Sequence, residues 1–406
     1  MTSYATEFLG CKVSVTDAQQ IRERLATDGH REHDPATARV RVVNTCCVTA
    51  EAVAKSRKAV RRAARSSERV YVTGCAAALE GAFAGLGERV TVVDARSEQV
   101  AERVSAAVGA LGCVGGVAPP FARTRAYVKS QDGCSFGCSY CVIPQVRGAS
   151  RSRTAEAVLL EAARRAGQGH RELVLTGVNL GCFRDRSAGL DLAGLLERVA
   201  AVAGVERVRL SSIEVNHLSD RLLRVIGATA GVARHLHVPI QSGSDAVLQA
   251  MRRRYTAAGF VTRMQRAREL VDGVNLTTDV IVGHPSEDEA RFRDTLRVVR
   301  AVGFTKVHVF PYSPRPGTLD GGDDVVPAAE KRRRSRCLRR LSDEQGARHR
   351  AAKVGRGDVV LVEGEDGRGY GDDYTPFVVE GGAPGEMADV LAHATDGAAL
   401  LATLRR

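Results

Sequence analysis

No apolar run in this 406-residue chain approaches the length that a bilayer-spanning helix needs. The opening MTSYATEFLGCK has no basic segment followed by an apolar one, so it does not resemble a secretory signal. Acidic residues are in deficit, with 47 Asp and Glu against 59 Lys and Arg and a formal net charge of +12. The first two absences predict a cytoplasmic protein with no membrane partner. The basic excess suits a polyanionic partner, and equally an Arg-rich proteome; it bears on association, not on fold. In a cytoplasmic chain, ten cysteines are poor evidence for disulfides and better evidence for metal or redox work. The length allows roughly two to three domains.

One stretch also lacks something. QDGCSFGCSYC, residues 131–141, brings Cys134, Cys138 and Cys141 together without a fourth cysteine beside them. A [4Fe–4S] cluster ordinarily takes one thiolate per iron. Three thiolates therefore leave one iron open to substrate, as an open position does in catalytic zinc enzymes. A zinc site completed by a distant fourth ligand is the alternative from spacing alone. The C-x3-C-x2-C pattern, with Tyr140 before its third cysteine, is similar to that of the radical S-adenosylmethionine (SAM) enzymes.

Around the trio, strand-like runs recur at RAYVKS (125–130), ELVLTG (172–177), RVRLSS (207–212), HLHVPI (235–240), LTTDVIVG (276–283) and KVHVFPY (306–312). Helical patterns lie between them at 154–167, 190–203, 257–272 and 287–301. This alternation predicts a parallel sheet with crossover helices, and six units suggest an open partial barrel. The cysteines follow the first strand and so fall at the carboxyl edge, where barrel active sites sit.

The first 110 residues repeat one arrangement. SYATEFLGC ends at Cys11, RVRVVNTC at Cys46 and RVYVTGC at Cys75, and helix-like sequence follows each (Asp17–Leu25, Ala50–Arg65, Ala76–Ala84). Three strands of one open α/β sheet would present these thiols near a common point. Any one of them alone reads as a small buried residue. Cys47 beside Cys46 leaves the second position open between the two.

Taken in order, LGCKV (9–13), VVNTC (42–46) with KSR (55–57), VTGC (72–75), QDGCSFGCSYCVIPQVRGASRSR (131–153), LTGVNLG (175–181), LSSIE (210–214), HVPIQSGSDAVLQAMRRRY (237–255), TTDVIVG (277–283) and HVFPYSPRPGT (308–318) resemble the radical SAM methylthiotransferases nearly end to end. The resemblance is greatest to the branch acting on threonylcarbamoyladenosine at position 37 of tRNA. That branch assignment rests mainly on Lys12-Val13, because the ribosomal-protein branch normally has Pro-Lys-Asn after the first cysteine. Ser14 and Val15 depart from the family's usual Asn-Gln. Val215 replaces a Pro, and His284-Pro285-Ser286 replaces Phe-Pro-Gly. The family has Thr where Cys47 stands, which favours Cys46 as the ligand.

The resemblance implies an N-terminal open α/β domain (1–112) carrying an auxiliary cluster on Cys11, Cys46 and Cys75. It implies a radical SAM partial (βα)6 barrel (120–345) whose Cys134, Cys138 and Cys141 hold the catalytic cluster. Thr176, Gly177, Asn179, Glu214 and Gln241 would line the SAM site. The implied reaction is cleavage of SAM to a 5′-deoxyadenosyl radical, removal of hydrogen from C2 of adenine 37, and transfer of a methylthio group to C2. The cofactors are then two [4Fe–4S] clusters and SAM. The partners are a tRNA anticodon loop and an electron donor such as flavodoxin or ferredoxin, acting on a monomer. Alternatives are isopentenyladenosine 37 or a ribosomal-protein side chain as substrate. A non-catalytic iron–sulfur RNA-binding protein is the rival class, although a pure binder has no need of an open iron.

Residues 354–406 are strand-rich and punctuated by Gly and Asp. They predict a small five-stranded barrel resembling a TRAM domain; an all-β appendage that merely packs on the core is the other reading. KRRRSRCLRR (331–340) is expected to be a helix that either binds phosphates or simply connects domains in solvent. Cys113, Cys182 and Cys337 are given no ligand role.

Overall fold

The computed structural model describes residues 3–93, 99–109, 124–322 and 324–405. Cys113 and the linker GCVGGVAPP lie outside the described residues. The chain divides into two compact units, the first of Met1–Phe121, Asp132–Arg151 and Ser313–Gly322, the second of Ala122–Gln131, Ser152–Tyr312 and Asp323–Arg406.

The first unit holds a parallel sheet of β1 (Ser3–Phe8), β2 (Arg31–Glu32), β3 (Val40–Thr45), β4 (Arg69–Gly74) and β5 (Val90–Val92) in the order β2-β1-β3-β4-β5. Its helices are α1 (Lys12–Thr27), α2 (Ala50–Ser66), α3 (Val100–Val108) and the short α4 (Ile143–Arg147). Strand β3 is buried along its whole length, as the β-branched run VRVVNT requires of a central strand. Helix α2 turns Ser56, Ala59, Val60 and Ala63 inward at helical spacing, and the side chain of Thr49 accepts from Ala52 N–H to start it. Helix α1 begins at Lys12, earlier than the expected Asp17. The helix expected over Ala76–Ala84 is a correction: only Cys75–Ala78 coils, as a 3-10 turn. Gly81, Gly85 and Gly87, all at positive φ, end it in turns.

In the second unit, β6 (Arg125–Asp132), β8 (Glu172–Gly177), β11 (Arg207–Leu210), β12 (His235–His237), β13 (Asn275–Val282) and β14 (Lys306–Pro311) run parallel. The link between β11 and β12 is made by Ala233 N–H to Val208 O (2.9 Å) and Ile213 N–H to His237 O (3.0 Å). The six form a curled half-barrel in the order the sequence predicted. The two-residue β7 (Arg151–Ser152) edges the sheet beside β6, and β9 (Arg184–Asp185) with β10 (Leu190–Asp191) makes a small hairpin. Around the sheet lie α5 (Ala155–Gly167), α6 (Leu192–Ala200), α7 (Asp220–Ala228), α8 (Asp245–Ala250), α9 (Ala257–Leu270) and α10 (Glu289–Val302). Thr154, Asp191, Ser219, Thr256 and Asp288 cap their helices through the side chain. The core between the layers includes Leu173, Leu175, Val208, Leu236, Val280, Phe260 and Phe304.

Helix α11 (Ala328–Ala351) leads to a closed barrel of β15 (Gly357–Val362), β16 (Arg368–Tyr370), β17 (Pro376–Glu380), β18 (Met387–Thr395) and β19 (Leu400–Leu404), consistent with a TRAM-like domain. The barrel docks on the amino ends of the half-barrel strands through buried charge. Glu172 takes Arg207 and Arg209 (both 3.0 Å), while those arginines also donate to carbonyls of Tyr370, Gly371 and Asp372. Arg125 pairs with Glu363 at 2.8 Å. Tyr374, at φ +67°, stacks on Tyr370 with ring centres 4.6 Å apart, and the Arg209 guanidinium lies 4.7 Å from its ring centre. The segment GYGDDYT thus packs on the core. In the basic run, Lys331 and Arg334 are buried, Lys331 against Asp324 and Arg334 against Glu287 (2.6 Å) and Glu330 (2.8 Å). Arg332, Arg336 and Arg339 face solvent.

Two cysteine trios and their surroundings

Strands β1, β3 and β4 are adjacent and parallel, so their carboxyl ends share one edge of the sheet. Cys46 and Cys75 follow β3 and β4 directly; Cys11 follows β1 after Leu9-Gly10 and is the N-cap of α1. Gly74, at φ +88°, makes one of these turns possible, for a Cβ there would fall 2.1 Å from Asn44 Oδ1. Cys46 is pinned to α2: its N–H donates to Ser56 Oγ (3.1 Å), which donates back to Cys46 O (3.2 Å). Ser56 is the serine of the KSR motif. Ser14, one of the departures from the family pattern, is buried with its hydroxyl 3.9 Å from Cys11 Sγ.

Cys46, Cys47 and Cys75 are buried and Cys11 is exposed. Burial raises the Cys46 pKa, and the charges of Cys75 and Cys11 add to the rise, so the three thiols sense one another. A hydrogen bond from Cys47 draws Cys75 below the ordinary thiol range, with Arg147 helping against burial. The same bond, with burial, pushes Cys47 up. Cys75 is thus the sulfur poised to ionise, and Cys47 the thiol that keeps its proton.

Arg147, at the end of α4, was not anticipated from the sequence. It is 5% exposed and spreads its fork over three partners: Nε to Cys75 Sγ (3.1 Å), Nη1 to Asp132 (3.1 Å) and Nη2 to Asp17 (2.7 Å). Burial opposes its charge, but Asp17, Cys75 and Asp132 outweigh it and raise its pKa. Asp132 begins the loop of the other trio, so Arg147 connects the surroundings of both.

That loop is built around backbone contacts. Cys134 N–H donates to Gly148 O (3.0 Å), Cys141 N–H to Cys138 O (3.1 Å), and Phe136 N–H points at Cys134 Sγ (3.4 Å). Gly133 has φ +67°, and a Cβ there would lie 2.1 Å from Ala149 O. Cys134, Cys138 and Cys141 are half-buried and unbridged. Three thiols on a short glycine-containing loop, with a backbone N–H aimed at one sulfur, fit an iron–sulfur group. The segment Ser313–Gly322 is tied to this unit at three points: Ala50 N–H to Ser313 Oγ (3.3 Å), Gln145 to Gly317 O, and Asp320 N–H to Ser139 O (3.0 Å).

In the second unit, Thr176 and Gly177 end β8, and Asn179 N–H donates to Gln131 Oε1 (2.7 Å). A side chain at Gly177 would meet Gln131 at 2.9 Å. Glu214, after β11, pairs with Arg253; burial raises its pKa although Arg253 opposes the rise. Gln241, after β12, has φ +64° and exchanges backbone bonds of 2.9 Å with Asp279 O and Ile281 N–H. Thr176 and Gly177 end their strand and the other three follow theirs, all at the carboxyl side of the half-barrel. Nearby on β12, β13 and β14, His237, Asp279 and His308 bring ligand-type atoms within 4.8 Å of one another. The sequence signal for that group was two histidines and an aspartate on three successive strands.

Residues 128–299 match the radical SAM superfamily and residues 3–96 match an uncharacterized protein family, UPF0004. The threonylcarbamoyladenosine tRNA methylthiotransferase MtaB of Bacillus subtilis (strain 168) is 34% identical over 94% of this chain and 91% of its own length. MtaB of Chlamydia pneumoniae is 35% identical over 87% and 85%. The tRNA-2-methylthio-N(6)-dimethylallyladenosine synthase of Alkalilimnicola ehrlichii is also 35% identical, over 87% and 85%. The chain belongs to the radical SAM methylthiotransferase family. Its fold is also that of the radical SAM methyltransferase TsrM from Kitasatospora setae, at TM-score 0.59 and 15% identity over 79% of this chain and 75% of that one. As a radical SAM methylthiotransferase it is an enzyme, and membership implies SAM and a [4Fe–4S] cluster. Among the described residues, no helix is long and apolar enough to cross a membrane.

Proposed function

We propose that this methylthiotransferase converts N6-threonylcarbamoyladenosine at position 37 of tRNA to its 2-methylthio form. Lys12-Val13, the first turn of α1 directly after Cys11, carries the choice of branch. Identity does not make that choice, because relatives named for threonylcarbamoyladenosine and for dimethylallyladenosine both reach 35%. Segments 1–112, 120–345 and 354–406 serve as auxiliary-cluster, radical SAM and TRAM-like domains. The tRNA anticodon loop, whose unstacked bases can be reached, is the macromolecular substrate. A small electron-transfer protein supplies electrons, and the enzyme works as a monomer in the cytoplasm.

Cys134, Cys138 and Cys141 hold one [4Fe–4S] cluster and leave an iron for SAM, and Thr176, Gly177, Asn179, Glu214 and Gln241 are its proposed SAM-binding residues. Cys11, Cys46 and Cys75 hold a second. When bound, these groups supply the radical and sulfur chemistry needed to replace hydrogen at C2 of adenine, which no acid–base side chain can do. The chain's own residues do the rest. Arg147 compensates charge at Cys75 and orients Asp17 and Asp132. Cys47 donates a hydrogen bond to Cys75 Sγ and keeps its proton, which supports Cys46 as the ligand. Glu214, half-buried and paired with Arg253, is an acceptor among the proposed SAM-binding residues.

The test supplies the reconstituted enzyme with SAM, reductant and three substrates in separate reactions: tRNA carrying threonylcarbamoyladenosine, tRNA carrying isopentenyladenosine, and a ribosomal protein. Methylthiolation of the first supports the proposal. Methylthiolation of the second alone moves the enzyme to the other tRNA branch. Methylthiolation of the protein alone refutes a tRNA substrate.

A further inference from the structure

In the half-barrel, Val208, Leu210, Leu236, Val280 and Val307 belong to the core between sheet and helices. Their strand neighbours Ser211, His237, Asp279 and His308 therefore stand on the concave face. His237 is held on both sides: Nδ1 lies 2.9 Å from Thr277 Oγ1 and Nε2 lies 3.1 Å from Asp279 Oδ1. The Asp279 side chain remains 25% exposed, and a carboxylate accepts more than one hydrogen bond. His308, opposite Asp279 on the next strand, is exposed. Ser211 continues β11 by donating its N–H to Leu175 O (2.9 Å); it is 3% exposed, and its hydroxyl has no hydrogen-bond partner. Towards the amino ends of the strands this face is closed by the terminal barrel. Tyr374 packs on His235 with ring centres 4.9 Å apart, and the Asn275 side chain donates to Asp373 O (2.8 Å). Towards the carboxyl ends it stays open, and Phe310, two residues beyond His308, is 41% exposed.

We propose that Asp279, His308 and Ser211 bind the threonylcarbamoyl substituent of the adenosine, with Phe310 as an apolar platform for the base; this rests on the proposed threonylcarbamoyladenosine substrate. The substituent carries ureido N–H groups, a hydroxyl and a carboxylate. Asp279 accepts from the N–H groups or the hydroxyl, while the imidazole of His308 and the hydroxyl of Ser211 donate to the carboxylate. An exposed aromatic beside such a group suits a base taken out of its stack. A dimethylallyl chain offers no hydrogen bond. Its entry would strip water from Asp279 and His308 and return nothing, and a site built to hydrogen-bond a substrate rejects the analogue that cannot. A metal ion is the other ligand for these atoms. It fits less well, because both ring nitrogens of His237 are already spent on Thr277 and Asp279.

The experiment measures binding of anticodon stem-loop RNAs to the reconstituted enzyme with SAM present and no reductant, by fluorescence anisotropy. The RNAs carry threonylcarbamoyladenosine, isopentenyladenosine or unmodified adenosine at position 37. Wild type should bind the first at least tenfold more tightly than the other two. His308→Phe and Asp279→Asn should each reduce that ratio to about threefold or less, and His308→Gln, which keeps an N–H donor, should retain more of it than His308→Phe. An unchanged ratio in both His308→Phe and Asp279→Asn overturns the inference alone. Equal weakening towards all three RNAs in both variants also overturns it, since the role would then be structural. Stoichiometric zinc that Asp279→Asn loses overturns it in favour of a metal site. A wild type that prefers the isopentenyladenosine RNA overturns the inference together with the proposed substrate.

Discussion

Replacing Arg147 by methionine removes a cation shared by Asp17, Asp132 and Cys75 while keeping most of the side-chain volume. Its two carboxylate partners have side chains only 7% and 10% exposed, so solvent screening offsets little of the loss. Breaking a buried ion pair from one side costs about 3–5 kcal/mol, because the remaining charge is left uncompensated. Arg147→Lys keeps the charge but has one nitrogen where the guanidinium uses three, directed to Cys75, Asp132 and Asp17. The retained charge still compensates both carboxylates, so the lysine variant should cost less than methionine, about the 1.5–3 kcal/mol of one lost hydrogen bond to a charged group, and rank between methionine and wild type. Urea unfolding monitored by circular dichroism reads the order, and iron analysis after anaerobic reconstitution reads the effect on the thiols. A methionine variant within about 1 kcal/mol of wild type would show that Asp17 and Asp132 do not depend on Arg147, and its linking role would be refuted.

Anaerobically reconstituted protein should bind about eight irons per chain, and replacing Cys134, Cys138 and Cys141 together by alanine should leave about four; zinc, or a single cluster in the wild type, would be a failure. Cys46→Ala should lose the second cluster while Cys47→Ala keeps it, as read by the iron count; the reverse would move the ligand to the thiol hydrogen-bonded to Cys75. Neutralising Arg332, Arg336 and Arg339 to glutamine should lower the slope of log affinity for tRNA against log salt by about 2–3, with folding unaffected because all three are exposed; an unchanged slope would make α11 a connecting helix and no more.

The half-barrel was legible because each strand is a compact β-rich run and each connection carries helical spacing, so local pattern and tertiary role agree. The barrel at the carboxyl end was legible for the same reason. Ala76–Ala84 was not: its alanines have high helix propensity, but Gly81 within it and Gly85 and Gly87 just after it, all at positive φ, override them. The cysteines stood out because few other residue types serve iron–sulfur chemistry. Arg147 did not, because an arginine in a chain with so many basic residues carries no local mark of burial. Its role comes from contacts across the sequence, to Asp17, Cys75 and Asp132. The basic run shows the same limit from the other side. Lys331 and Arg334 look like surface charge in sequence, yet both are buried in ion pairs, and neutralising Arg334 would test folding before it tested RNA binding. Removing residues 354–406 would similarly expose Arg207 and Arg209 along with Glu172, so loss of the barrel should weaken the core as well as substrate binding.

Mass spectrometry of nucleosides from total tRNA, in cells with and without the gene for this chain, bears most directly on what the enzyme does. The proposed function predicts that 2-methylthio-N6-threonylcarbamoyladenosine disappears on deletion, that N6-threonylcarbamoyladenosine accumulates in its place, and that the wild-type gene but not a Cys134→Ala version restores the methylthio form. An unchanged level of 2-methylthio-N6-threonylcarbamoyladenosine in the deletion, or loss of the methylthio group from isopentenyladenosine alone, would contradict it.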